Sequence, residues 1–511
     1  MSQRLTYTSG SAAPETDARF EAALEAARSG PADPLPHLVG GERSFAGEVF
    51  ERPDPSRTDA VASRAHAAPP ELVADAIERA RAAQVAWRRT APSDRCALLR
   101  RVGEAIGERH MEMAAAVSME AGKSRTESIA EVQEAIDLIE AYCEQMERHG
   151  GYRVPLGQLT PEETNESILR PFGVFGVIGP FNFPVALVVG MASGALVAGN
   201  TVVIKPSEQT PLSGALVGEC FAAAELPEGV VALVHGGEAT GRALAEGAVD
   251  GVVFTGSAEV GRALGKRFAD GPFARPAITE MGGKNPAIVA ASADVDAAAA
   301  GIASSAFGFS GQKCSACSRA VVVDAAYDEL VSALAARAEA LVIGDPSDAG
   351  AFTGPVVDDR AVARFADAAG AGGTVVAGGR ELDLPGYYVA PTVVADVPAG
   401  HRLTRDELFV PFVAVTRVGS FEEALAEANA VDYGLTAGVF SREQAELDAF
   451  LDGIEAGVVY VNRRAGATTG AWPGFQSFCG WKSSGSTGKG GLGPYYVAQF
   501  MREQSRTIVS L

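Results

Sequence analysis

At 511 residues the chain exceeds what one ordinary core accommodates, and two or three domains of roughly 100 to 200 residues are predicted. An apolar fraction of 47% with 21% charged residues argues against disorder and against a fibrous repeat. The formal charge of −21 argues against any general affinity for nucleic acid or an anionic membrane, since both require a positive face.

Six scattered cysteines, Cys96, Cys143, Cys220, Cys314, Cys317 and Cys479, are too sparse for a secreted disulfide framework, and a reducing cytoplasm is expected. The N-terminal stretch holds no apolar run of the kind a secretion signal needs. From Pro70 to about Gly150 apolar residues recur at three and four spacing, which predicts helices with breaks at Pro92 and Gly122. The Pro/Gly-punctuated GGYRVPLGQLTPEETNESILRPFG, from Gly150, predicts a projecting hairpin at a domain seam. Between Pro171 and Ile204 no side chain is charged, but Pro180, Asn182, Pro184 and Asn200 interrupt the run, so buried strand, loop and helix are expected there instead of a membrane span. From Gly173, GVFGVIG, TVVIK, GVVALVHGG and GVVFTGS alternate with helical stretches, a βαβ series with a mainly parallel sheet. A second α/β series runs from PAIVAA through SRAVVVD to VVYVN at Val458, followed by a Gly/Ser/Lys-rich tail and a terminal strand. No repeat of 20 to 50 residues stands out.

Five stretches carry candidate chemistry. VVFTGSAEVGRAL places Gly256, Ser257 and Gly261 where a strand turns into a helix, a position at which phosphate can approach free amides; the simpler reading is turn geometry. Lys205 and Glu208 in TVVIKPSEQTP follow a buried strand and are candidates for the hydroxyls of a ribose. Glu280 in ITEMGGKNP, between apolar strands, is a candidate general base. Asn182 in GPFNFP, held between Pro180 and Pro184, is either an ordinary turn residue or half of an oxyanion hole. In GFSGQKCSACSRA, Cys314 and Cys317 have the C-x-x-C spacing of a zinc ligand pair or a redox dithiol. No second pair or histidine cluster completes a metal site, and the cysteines precede a strand instead of opening a helix, so neither role is expected and no metal is implied.

FNFP, KPSEQTP, FTGSAEVG, EMGGKNP, GQKCSACSR, DELFVP and FCGWKSSG stand in the order and at the separations of the aldehyde dehydrogenase superfamily, which the chain resembles over about residues 35 to 511. The resemblance implies a fold of two Rossmann-like α/β domains plus a bridging oligomerisation hairpin: residues 1–147 and 171–282 for a dinucleotide, 283–480 for catalysis, and 148–170 with 481–511 as the bridge. It makes Cys314 the nucleophile, Asn182 the oxyanion donor and Glu280 the base. It assigns NAD, or NADP, to Pro180, Phe181, Lys205, Glu208, Gly256, Ser257, Gly261, Glu407 and Phe409, with Glu208 favouring NAD by repelling a 2′-phosphate.

SGQKCSACSR, EVQEAIDLIEAYCEQ and NRRAGATTGAWPGFQSFCGWK look most like the 1-pyrroline-5-carboxylate dehydrogenase family, which oxidises glutamate γ-semialdehyde to glutamate. That likeness implies Ser315, Gly470 and Ala471 around the substrate carboxylate, Phe478 and Phe183 along its stem, and Glu131 facing its ammonium. This sequence departs from the pattern in a longer stretch between Asn462 and Thr469, in Cys479 and in Val410. Another small acidic aldehyde such as succinic semialdehyde, bound by Arg463 or Arg464, is the alternative substrate; a catalytically silent relative is the alternative from a different class. A homo-oligomer, at least a dimer, in the cytoplasm completes the expectation.

Overall fold

The three-dimensional structure is a computed structural model that describes Thr6 and residues 14–29 and 33–510. The first expected segment begins at residue 1, so its opening residues lie outside the described ones, as does Leu511.

Two seven-stranded sheets organise the molecule. The first runs in the order Ala277–Glu280, Gly251–Thr255, Val174–Ile178, Thr201–Lys205, Val231–Leu233, His37–Val39, Glu42–Ser44. Its first five strands are parallel and the last two are added antiparallel. Chain order among the parallel strands reverses between Val174–Ile178 and Gly251–Thr255, so their C-terminal ends flank the crevice that open α/β sheets use for ligands. Val174–Ile178 and Thr201–Lys205 are buried at every position, because helices cover both faces. Between them, helix Ala186–Val197 is apolar all round for the same reason; no helix among the described residues is long and apolar enough to cross a membrane.

The second sheet has Cys317–Val323 and Asn285–Val289 at its centre, with Phe412–Val418 and Thr392–Ala395 on one side, Thr436–Phe440 and Val458–Val461 on the other, and Thr374–Ala377 antiparallel at one edge. A third sheet joins Arg153–Pro155, Glu163–Pro171 and the C-terminal Met501–Val509, paired antiparallel from Met501 opposite Pro171 to Val509 opposite Glu163.

Helix Pro70–Trp87 packs on strands of the first sheet, whereas Pro92–Glu108, His110–Ala121 and Arg125–Arg148 pack on one another and on helices Ala186–Val197 and Pro211–Ala223, with Leu99, Val102, Ile106, Val132 and Leu138 in the shared core. The run expected as one helix after Pro92 is two, because Arg109, itself neither Gly nor Pro, leaves helical geometry at φ −102° and ψ 17°. Gly122 ends the second of them in the left-handed region at φ +72°, where a side chain would be strained. Helix Pro14–Ser29 and the antiparallel pair Val49–Asp54 and Arg57–His66 are additions that the sequence reading passed over.

Candidate active site

Cys314 lies between helix Val295–Phe307 and strand Cys317–Val323. The connecting turn passes through positive φ at Phe309 (49°) and Ser310 (50°), a conformation that costs about 1–3 kcal/mol per residue unless its surroundings impose it. They do: Ser310 N–H donates to Thr353 Oγ1 at 2.6 Å, and Ser310 Oγ donates to Gly354 O at 2.6 Å. Beyond the turn, Asn285 Nδ2 donates to Cys314 O (2.7 Å) and Ala316 O (2.9 Å), while Asn285 Oδ1 accepts from Thr436 N–H (3.0 Å). The Gly pair of EMGGKNP makes room for this arrangement. A Cβ at Gly283 would sit 2.7 Å from Cys314 O, and one at Gly282 would overlap the Glu407 carboxylate. Cys317, three residues on, faces the core, with Sγ 3.6 Å from Arg319 O.

Two cavities meet at Cys314. One, of about 330 Å³, is lined by Glu280, Ser315, Phe183, Gly470, Ala471 and Phe478 among others; the second is a groove of about 780 Å³ at the crevice of the first sheet. Cys314, Thr255 and Met281 line both. Burial, then the nearby Glu407 and Glu280 carboxylates, push the Cys314 thiol up to about 12, against the pull of the Ser315 and Cys314 N–H groups. Burial also lifts the Glu280 carboxyl well above the usual range, opposed by a hydrogen bond from Gly480; its Oε2 is buried with no partner among the described residues. Asn182 spends one amide hydrogen on Gln312 O (3.0 Å), two residues before the cysteine, and its own carbonyl accepts from Lys123 Nζ at 2.6 Å. A second amide hydrogen remains for a ligand oxygen.

The groove has the features a dinucleotide needs. Helix Ala258–Ala269 opens onto it, capped by Ser257 Oγ accepting from Val260 N–H; among the described residues the Ala258 and Glu259 amides have no protein acceptor. Lys205 Nζ is fixed by Pro206 O (2.7 Å) and Gly236 O (2.8 Å), 3.8 Å from a Glu208 carboxylate that is 49% exposed. At the other end Glu407 accepts from Gly283 N–H (3.0 Å), and Phe409, at φ 57°, sets its ring edge-on to Phe181. Pro180 and Gly256 complete the wall. Gly261 does not: it lies a turn inside the helix, where a Cβ would collide with Met281, so its smallness serves packing.

Three expectations fail in the substrate cavity. Glu131 does not face it: the carboxylate is buried, ion-paired with Lys123, and accepts from the Val185 N–H (2.9 Å) and Ala186 N–H. The acidic residues of this helix that line the cavity are Glu127, bonded to Lys313, and Glu134, one turn to either side of Glu131. Arg463 donates to Thr469 O (2.9 Å) and Gly470 O (3.2 Å), and Arg464 pairs with Asp296 on the surface, so neither guanidinium enters. The stacked Tyr142 and Tyr496 rings, 5.0 Å apart in the cavity wall, carried no motif that would have flagged them. Because Glu131 is half of a fully buried ion pair, Glu131→Ala is expected to lower unfolding stability by about 3–5 kcal/mol, measured by denaturant titration, as it strands the Lys123 charge.

A model of the aldehyde dehydrogenase family matches residues 43–505. The 1-pyrroline-5-carboxylate dehydrogenase of Geobacillus sp. strain WCH70 is 36% identical over 501 residues, covering 96% of this chain and 95% of its own. A crystal structure of the 1-pyrroline-5-carboxylate dehydrogenase from Thermus with bound NAD superposes with a TM-score of 0.94 at 35% identity, over 100% of this chain and 99% of that one. Proline utilization A from Bdellovibrio bacteriovorus gives a TM-score of 0.92 at 33% identity over 97% of this chain, which spans 52% of that longer protein.

Proposed function

The chain belongs to the aldehyde dehydrogenase family, and from that premise we propose that it oxidises glutamate γ-semialdehyde, the open form of 1-pyrroline-5-carboxylate, to glutamate with NAD. The observation that carries the reading is the position of Cys314 on the shared wall of a small cavity and a dinucleotide-sized groove.

Cys314 Sγ releases its proton to solvent water in the cavity and forms a bond to the aldehyde carbon as the carbonyl pair moves onto oxygen, and the resulting alkoxide is held by the free Asn182 amide hydrogen and the Cys314 N–H. Burial keeps the thiol neutral at rest, so proton loss accompanies attack. When bound along Lys205, Glu208, Ser257, Glu407 and Phe409, NAD supplies the acceptor for the hydride that leaves the tetrahedral carbon. Glu280 then takes a proton from water as its oxygen bonds to the thioester carbon, the carbon–sulfur bond breaks, and carboxylate product and free Cys314 result. In the cavity, the Gly470 and Ala471 amides and the Ser315 hydroxyl suit the substrate carboxylate, while Phe183 and Phe478 cover its aliphatic stem. Carboxylate recognition by backbone N–H fits a site in which Arg463 and Arg464 are committed elsewhere, which weighs against the succinic semialdehyde alternative. The 2′-hydroxyl preference of Glu208 supports NAD over NADP, softened by Lys205 alongside it.

A homo-oligomer is also proposed, supported by exposed Ile508 and Val509 on the three-stranded sheet and by exposed Leu159 in the loop joining two of its strands; the free cysteines accord with a cytoplasmic location. The function is tested by NADH formation with equilibrated pyrroline-5-carboxylate, succinic semialdehyde and propanal. A markedly higher kcat/KM for the first is expected. Preference for another aldehyde would overturn the substrate, and no turnover of any would favour a silent relative.

A further inference from the structure

We infer that Arg463 is a positioning residue for substrate recognition: it holds the loop Thr469–Ala471 so that two backbone amides are presented to the substrate carboxylate. The inference rests on the proposed substrate and adds to it a residue that does not touch the ligand.

The side chain reaches both carbonyls of consecutive peptide units, Nη1 donating to Thr469 O at 2.9 Å and Nη2 to Gly470 O at 3.2 Å. Peptide bonds among the described residues are trans, and in a trans unit the C=O and N–H point in opposite directions. Fixing the Thr469 and Gly470 carbonyls on the guanidinium therefore turns the Gly470 and Ala471 N–H groups the opposite way. Among the described residues neither N–H has a protein acceptor, and both residues line the cavity that contains Cys314. Two parallel donors from adjacent residues match the two oxygens of a carboxylate. The cationic bonds on the far side of each peptide also polarise it, strengthening the N–H as a donor.

The surroundings hold the clamp in place. Arg463 Cζ lies 4.9 Å from the centroid of the Tyr460 ring, and Arg463 O accepts from Gly466 N–H at 3.3 Å. The added residues of this loop fold back onto helix Val295–Phe307 through Ala467 N–H to Gly301 O (3.0 Å) and Thr468 N–H to Ser305 Oγ (3.2 Å). Thr468 Oγ1 donates to Ser315 O at 2.6 Å, tying the loop to the residue after the nucleophile. Gly470 has φ +101°, and a Cβ there would run into the guanidinium, so a glycine is required on both counts.

The test compares wild type, Arg463→Met and Arg463→Lys with pyrroline-5-carboxylate and with propanal, which lacks the carboxylate, and adds the inhibition constant of glutamate and the thermal midpoint of each protein. Arg463→Met is expected to raise the KM for pyrroline-5-carboxylate and the Ki of glutamate by about ten- to a hundredfold, the worth of charge-assisted hydrogen bonds, while kcat/KM for propanal holds. Arg463→Lys, able to reach a single carbonyl, recovers part of the loss. Equal losses with both substrates, or an unchanged KM and Ki in both variants, would overturn the clamp while leaving the substrate assignment intact. If Arg463→Met does not fold, the lysine variant decides: a rise confined to the carboxylate ligands supports the clamp, and any other pattern overturns it. A wild type that does not turn over pyrroline-5-carboxylate removes the proposed function and the clamp together.

Discussion

Cys314→Ala is expected to lower kcat for pyrroline-5-carboxylate by roughly four to six orders of magnitude, the range seen when a covalent nucleophile is removed from a site whose remaining parts act as one unit. Neither Cys317 nor Cys479 can take over. Cys317 is turned into the core beside Arg319 O, and Cys479 is buried with its thiol pushed up to about 11 by desolvation and by Glu280. The substitution leaves Lys205, the Ser257 cap and Glu407 in place, so NAD binding, followed by titration calorimetry, should persist while NADH formation disappears. Loss of both would mean that Cys314 supports the groove instead of the chemistry. The resting thiol makes a second expectation. With the group held near 12 by burial, alkylation by iodoacetamide in the apoprotein should be slow at neutral pH and climb about tenfold per pH unit, because the thiolate is the reacting form. A fast, pH-independent reaction would show that the pocket already stabilises the anion.

Much of the scaffold was legible because parallel strands buried on both faces leave unbroken apolar runs, as in TVVIK and PAIVAA, and the intervening helices have their own period. What escaped was set by tertiary packing. GVVALVHGG reads as a β-rich run but pairs only over Val231–Leu233, since His235 and the glycines beyond it leave the ladder. In the site, residues on short, rigid connections between strands and helices were readable from their motifs: Cys314, Glu280, Asn182, Ser257 and Glu407 all line one or both cavities. Residues on a helix buried nearly all round were not. Glu127, Glu131 and Glu134 stand at four and seven spacing and share a stripe by periodicity, so spacing cannot say which of them meets ligand. Lys123 and the amides of Val185 and Ala186 capture the middle one, and no local pattern announces that capture. Arg463 shows the same limit from the other direction. Its charge suggested a ligand contact, whereas two carbonyls supplied by the fold have already claimed its donors.

Glu280→Gln should separate the two halves of the reaction. The first half needs Cys314 and Asn182, so a burst of NADH of about one equivalent per site should survive in rapid mixing; steady-state turnover, which waits on hydrolysis, should fall by about 10²–10⁴-fold. Loss of the burst as well would place Glu280 in the attack step. The wild-type pH profile carries the same signature. Glu280 works as a base only when ionised, and burial lifts its carboxyl well above the usual range, so kcat should rise with pH along a limb displaced upward from that of an exposed glutamate, and the glutamine variant should lack that limb. Stability should run the opposite way. A carboxyl whose folded value is raised binds its proton more tightly in the native state, so its contribution is fully present below the unfolded value and is lost as pH rises through the folded one, at up to about 1.4 kcal/mol per pH unit. Above that range the wild type carries a buried anion with Oε2 unpartnered, a cost that a neutral amide avoids. Glu280→Gln should therefore unfold at a higher temperature than wild type in alkaline buffer, with the gap closing as pH falls. A variant less stable than wild type at every pH would mean that Glu280 is held for its contacts, and that its burial is not the stability paid for a base kept out of water.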